Sequence, residues 1–450
     1  GHIEKALSNY RKSIVRFNRQ GEVIKAARPI NNIGNIYMQY YGNKTKAMEY
    51  YEKGLNIVEK YGDSSMELMF LNNIGEVYIG TCEYTKAKIY MEKARDIASD
   101  IKDEGIKFLV NTNLGLICLL IGEYVEGYDC YLMLRDSYSK GGLYNIEKTS
   151  QYYNFLGEFY YTFGKWDKSI EYSQKAMEEC KKFSFKEYLK AKSRIVLAKC
   201  FKTGLFDKDS IDEIRFEFKN SQLSFDRRRF LLYMAIVSFL EKDYEYAKEF
   251  LKEDGELKTY YPSLNFEYIR NILKYNMDSN SRYDDMIKLE KNIKGHPQIP
   301  NILSVDIFFN KLLGFRCFND GKYYQAINHL VASLDGIYKA IKSIPNRDLQ
   351  IGYIKRRRGD EIKEKLGESI YRIFNRRVKC IRIDELGFKD DINKYFDYKS
   401  IASSMDKEKF AEVTKFDYIY EEIKGIYNIK TLISKLKNDY EYNLRLILKY

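Results

Sequence analysis

Proline is nearly absent, with 5 residues in 450, and Pro262, Pro297, Pro300 and Pro345 fall where helical periodicity is interrupted. Proline removes a helix hydrogen bond and clashes with the preceding turn, so a set this sparse leaves room for long unbroken helices. Strand-type alternation is hard to find, and the predicted class is all-α. Histidine is scarcer still (His2, His296, His329), and the 7 cysteines (Cys82, Cys118, Cys130, Cys180, Cys200, Cys317, Cys380) are scattered with no CxxC pair. Zinc binding and Cys–His catalysis have almost no ligands to draw on, so no metal and no cofactor is expected. The thiols read as buried packing groups in a reducing compartment. No apolar run reaches the roughly 18 residues of a membrane span. The nearest approach, Phe108 to Ile121, is broken by Asn111, Thr112 and Asn113, and no signal pattern stands at the N-terminus. The expected location is the cytoplasm, with no membrane partner.

Enzyme signatures are also missing. GxxxxGK(S/T), GxGxxG, HExxH and GxSxG do not occur, and acidic pairs such as Asp284-Asp285 and Asp390-Asp391 read as solvated surface in a chain with 64 acidic residues. No catalytic residue is assigned, and the chain is not expected to be an enzyme.

What is present is a repeat. Asn32-Ile33-Gly34, Asn73-Ile74-Gly75, Asn113-Leu114-Gly115 and Phe155-Leu156-Gly157 recur at spacings of 41, 40 and 42 residues. From Gly115 the chain reads Cys118, Gly122, Tyr124 and Gly127; Gly157 is followed at the same offsets by Tyr160, Gly164, Trp166 and Ser169, then Ala176. Gly75 is followed by Tyr78, Tyr84, Ala87 and Ala94, and a further copy holds Gly314, Cys317, Gly321, Tyr323, Ala326 and Ser333. A small residue lets a neighbouring helix approach, the residue three positions on shares its face, and the next glycine ends the helix. Each unit is predicted to be two antiparallel helices, and units at a fixed period stack.

This grammar resembles the tetratricopeptide repeat, whose usual period is about 34 residues, in a longer variant of the kind found in kinesin light chains and several bacterial regulators. The resemblance implies a right-handed superhelical solenoid of antiparallel helix pairs with a helical C-terminal extension. Residues 1–345 are read as repeats, with clear copies near 32–60, 73–100, 113–140, 155–182 and 312–336 and degenerate copies near 195–275. Ala6 and Tyr10 resemble a second helix whose first is missing, and the start at Gly1-His2 suggests a piece of a longer polypeptide. A charged helical extension follows over 346–400. Residues 401–450 are read as linker or signalling helices, because Phe416 to Ile433 resembles the helix preceding sensor or output domains.

In that family the first helices line the concave groove, and the positions just before the packing glycine point into it. Here these are Asn31, Asn32, Asn72, Asn73, Thr112, Asn113 and Asn154, with Asn35, Glu76, Glu158 and Tyr161 as neighbours. An asparagine amide both donates and accepts, so a row of them can pair with the backbone of an extended peptide. The same asparagines could instead tie one helix to the next as scaffold, and the sequence leaves both readings open. The run Lys355-Arg356-Arg357-Arg358, in a chain of formal charge +12, raises a nucleic-acid surface. Its alternation with Asp360, Glu361, Glu364 and Glu368 favours a salt-bridged face, and nucleic acid is not an expected partner. Richness in Lys, Ile, Asn and Tyr suggests an AT-rich, clostridial-type bacterial genome. The resemblance thus implies a protein- or peptide-binding sensing module of a multidomain bacterial signalling or transcription regulator, contacting neighbouring domains of its own polypeptide. A peptide-pheromone receptor that changes its hold on a target protein or DNA is the alternative.

Overall fold

The computed structural model describes residues 2–81, 83–100, 104–140, 146–181, 184–221, 224–257, 264–278, 283, 286–288, 303–374, 381–386 and 391–396. The signalling helices expected at 401–450, and the basic residues Arg376, Arg377 and Lys379, lie outside them. The described residues contain helices and no strand. The chain divides into two compact units, Gly1–Ile302 and Leu303–Tyr450.

The first unit contains α1 (His2–Arg19), α2 (Ala27–Gln39), α3 (Lys44–Tyr61), α4 (Ser64–Gly80), α5 (Tyr84–Asp100), α6 (Glu104–Ile121) and α7 (Tyr124–Ser139). It continues through α8 (Ile146–Thr162), α9 (Trp166–Cys180), α10 (Phe185–Thr203), α11 (Lys208–Lys219), α12 (Ser224–Leu240), α13 (Tyr244–Glu256) and α14 (Leu264–Met277). Starts are written in the sequence: the side chains of Asn43, Asp63, Ser184, Asp207 and Asp243 each accept a backbone N–H of the first turn. The turns within α2–α3, α6–α7 and α8–α9 use a left-handed residue, supplied by Gly42 (φ 59°), Gly122 (φ 86°) and Gly164 (φ 66°).

Packing follows the repeat. The pairs α2–α3, α4–α5, α6–α7 and α8–α9 each close on the glycine of their first helix. A Cβ built on Gly34 would meet the Tyr51 ring at 2.4 Å, one on Gly75 would meet Met91 at 2.5 Å, and one on Gly157 would meet Ser173 at 2.5 Å. Ala47, Ala87, Gly127 and Ser169 provide the matching small residue on the second helix and are buried. Each first helix also packs on the next, α2 on α4, α4 on α6, α6 on α8, α8 on α10, α10 on α12 and α12 on α14, whereas second helices meet through long side chains, as in the ion pairs of Lys88 and Arg95 on α5 with Glu126 on α7 and of Arg215 on α11 with Glu253 on α13. The first helices therefore form the closer-spaced, inner row of this unit. Among the described residues one helix, α6, is long and apolar enough to cross a membrane; it is packed on α5, α7 and α8.

A second recurring device links the helices of a pair. Tyr37 and Tyr50, Tyr78 and Tyr90, and Tyr160 and Tyr172 place their rings 5.6, 5.5 and 5.5 Å apart. In each case a lysine (Lys46, Lys86, Lys168) lies over the first ring, at 5.2, 5.4 and 5.1 Å from its centre.

The second unit contains α15 (Leu303–Asn319), α16 (Tyr323–Lys342), α17 (Arg347–Arg356) and α18 (Gly359–Phe374). α15 and α16 repeat the pair: a Cβ on Gly314 would meet Leu330 at 2.7 Å, and Ser333 donates to the Ile307 carbonyl at 2.8 Å. The tail is tied to α18. Lys363 donates to the carbonyls of Tyr395 (2.9 Å) and Ile381, and Asp360 accepts from the Tyr395 hydroxyl and the Ile383 N–H, both at 3.0 Å. The basic helices carry the ion pairs Lys355–Asp384 (2.5 Å), Arg358–Glu361 (3.2 Å), Arg382–Glu364 (2.8 Å) and Lys365–Glu368 (2.7 Å). Lys311 is buried with its ammonium 3.1 Å from Glu361; burial pulls it down to about 8, only partly offset by that carboxylate.

The helix approach at Gly115, closed by two neighbouring helices, yields a direct prediction. A Cβ at Gly115 would meet Phe155 at 2.8 Å and the Cys130 Cβ at 2.9 Å. Gly115→Leu is expected to cost about 1–3 kcal/mol or more through overpacking, read from the emission of Trp166, the chain's single tryptophan. Gly255→Ala, whose new carbon meets nothing closer than 3.8 Å, should leave the unfolding curve in place or raise it.

Candidate inner-face site

Residues one repeat apart on successive first helices face each other along the inner row. Asn73 on α4 donates to the side-chain oxygen of Asn31 on α2 at 2.7 Å, and Asn113 on α6 donates to that of Asn72 on α4 at 2.8 Å. Asn35 accepts from the Tyr51 hydroxyl at 2.7 Å and from Asn73 at 3.5 Å, and Asn72 donates to Glu76 at 3.5 Å. Asn31 and Asn72 are buried, whereas Asn32, Asn35, Asn73, Glu76 and Asn113 are half-buried. The amides thus form a lateral ladder across three helices. It does not exhaust their capacity, since an amide offers two N–H donors and two acceptor lone pairs. Among the described residues the side-chain oxygens of Asn73 and Asn113, and both polar atoms of Asn32, have no protein partner.

Past α6 the row changes chemistry. Thr112 bonds back to the Phe108 carbonyl of its own helix at 2.8 Å, and the next position is the core ring of Phe155. On α8 the expected residues are enclosed. Asn154 accepts from Arg194 of α10 at 3.2 Å and donates to Glu187 at 3.2 Å. Glu158 accepts from Arg194 at 3.0 Å and from Arg229 of α12. Tyr161 is buried among Trp166, Tyr233 and Phe201, with ring centres 5.4, 6.0 and 6.2 Å away. Burial alone would raise the Glu158 carboxyl, but Arg229 and Arg194 outweigh it and hold it down at about 2. Asp254 is also enclosed, between Arg228 (2.9 Å) and the looser Arg270 (3.5 Å), and there burial prevails and the carboxyl is pushed up. On α10, Lys190 pairs with Glu187 at 3.1 Å; burial would lower its ammonium, but Glu187, Asp226 of α12 and Glu76 of α4 hold it above its ordinary value.

The structure therefore brings the half-buried Asn32, Asn35, Asn73, Glu76 and Asn113 onto one polar row backed by the buried Asn31 and Asn72, and gathers Asn154 and Glu158 into a buried ionic strut. Sequence reasoning missed Arg194, Arg229, Glu187 and Lys190. The period held the signal for Arg194, which lies 40 residues after Asn154, one repeat on. Arg229 lies 71 residues beyond Glu158 and needed the fold.

Serially stacked helix pairs built on this small-residue grammar define a TPR-like helical-repeat protein. Residues 1–105 match the family model described as Soluble NSF attachment protein, SNAP. No curated protein matches the chain. Among solved structures, the crystal structure of the yeast Tom70 aligns at 13% identity and a TM-score of 0.24, over 89% of this chain and 99% of that one. At that score the likeness carries no argument about this protein.

The strut sets a pH dependence. With its carboxyl lowered from 4.5 to about 2, Glu158 contributes stability that is complete above its unfolded value and is lost as pH falls through about 2. Glu158→Gln leaves the buried Arg194 and the half-buried Arg229 guanidinium groups short of a counter-charge and should cost about 2–4 kcal/mol at neutral pH. Denaturant unfolding followed at Trp166 should show the loss at pH 7, narrowing as the pH drops below 4; an equal deficit at every pH would count against the ion pair.

Proposed function

We propose that the chain is a protein-interaction scaffold whose inner row, at α2, α4 and α6, holds an extended segment of a protein partner. The observation that carries this reading is the set of outward amide groups: the carbonyl oxygens of Asn73 and Asn113 and the whole side chain of Asn32 lie half-buried without a protein partner, one per repeat. An extended chain offers N–H and C=O groups at a repeat of about 6.6 Å on each side, and neutral amides can pair with them whatever the side chains are. Their lateral bonds fix each amide's orientation beforehand, which lowers the entropy lost on binding. The family matched over residues 1–105 is by its name one of attachment proteins, which supports the same reading. Its finer form is a sensing module of a multidomain bacterial regulator, supported by the long repeat period and the composition.

Asn32→Ala gives the discriminating test, because Asn32 has no lateral bond to lose. Against an extended peptide selected from a displayed random library, the variant should bind about 5-fold or more weakly with an unchanged melting temperature. Asn73→Ala should lose affinity and also about 0.5–1.5 kcal/mol of stability through its bond to Asn31. Full affinity in both variants would remove the partner from this row.

A further inference from the structure

The third helix pair breaks the ring–ammonium–ring pattern. Where the pairs of Gly75 and Gly157 hold Tyr, Lys and Tyr at three, eleven and fifteen residues past the glycine, the pair of Gly115 holds Cys118, Glu126 and Cys130. Both thiols are buried, and Cys118, fully enclosed, has no hydrogen-bond partner among the described residues. Its Sγ and carboxylate oxygens of Glu123 and Glu126 all lie within 4.8 Å of one another. With the local lysine replaced by Glu126, a cation arrives from the preceding pair. Lys88 of α5 contacts Glu123 and lies 2.9 Å from Glu126 and 3.3 Å from Glu92, and Arg95 lies 2.8 Å from Glu126.

We propose that Cys118, Glu123 and Glu126 form a site for a divalent cation of the zinc class, whose place the Lys88 ammonium takes in the metal-free protein. On binding, one sulfur–metal and two oxygen–metal bonds form, the thiol proton leaves to solvent, and Lys88 swings to Glu92. The dication displaces the ammonium from Glu123 and Glu126 and replaces the thiol proton; because Lys88 stays on Glu92, the charge of the whole cluster rises by one. Metal–sulfur and metal–oxygen bonds of about 2.3 and 2.1 Å at tetrahedral angles put ligand atoms about 3.6 Å apart, so the carboxylates need close by only about 1 Å. The backbone already holds the loop in place, with the Glu123 N–H on the Cys118 carbonyl at 2.9 Å. Glu123, with a side chain 45% exposed, opens the entry path and leaves a further position for water. A thiolate beside two carboxylates favours zinc or cadmium over magnesium or calcium.

The test is a titration of the whole metal-free chain with Cd²⁺, following the thiolate-to-cadmium charge-transfer band, with Zn²⁺ as competitor. One equivalent should produce the band and zinc should abolish it. Cys118→Ser should lose the band, Glu126→Gln should weaken binding about ten-fold or more, and Cys130→Ser should retain it. Lys88→Gln leaves every ligand in place and removes the competing ammonium, so it should bind several-fold tighter; this variant decides the matter even where Cys118→Ser fails to fold. Absence of the band, its persistence in Cys118→Ser, or no tightening in Lys88→Gln would overturn the site and leave Glu126 as an ion-pair staple between α5 and α7.

Discussion

The close approach of two helices at one small residue per repeat is the constraint on which the rest depends. Gly34, Gly75, Gly115 and Gly157 leave no room for a Cβ against the neighbouring side chains. Interiors are packed to crystal-like density, so any larger residue must move a helix. Because every pair closes on the same register, the residues just before each glycine fall on the same inner face. A polar row then follows from repetition alone, without any segment folding specially to make it.

That row has two halves of different character. Over α2, α4 and α6 neutral amides pair laterally and keep donors and acceptors in hand. Over α8, α10 and α12 Glu158 is clamped by the buried Arg194 and the half-buried Arg229, and the same face is closed by charge pairs. A neutral ladder suits recognition of a peptide backbone, whereas a buried ion pair is costly to break and suits a strut. The boundary lies where Thr112 and Phe155 replace the amide pair.

Much of this was legible in the sequence because it is local or periodic. The glycine register and the helix pairs follow from spacing, the groove placement of the asparagines was an expectation from the repeat-family resemblance, and contacts one repeat apart, such as Asn72 with Asn113, follow from the period. The sequence left open whether the asparagines are groove or scaffold. In the structure Asn73 donates to Asn31, while its own side-chain oxygen has no partner among the described residues. The enclosure of Glu158 and Tyr161 was not legible, because their neighbours Arg229 and Tyr233 come from a helix two repeats away. Nor did composition reveal the exchange at Cys118 and Glu126, which shows only when the pairs are superposed by register.

The most direct measurement is a nitrogen-15 spectrum of protein labelled only at asparagine, recorded with and without a bound extended peptide. The account expects the side-chain amides of Asn32, Asn73 and Asn113 to shift and gain protection, while Asn154, enclosed in the strut, stays unchanged. Shifts confined to asparagines of the second helices or of the second unit, with those three unmoved, would contradict it.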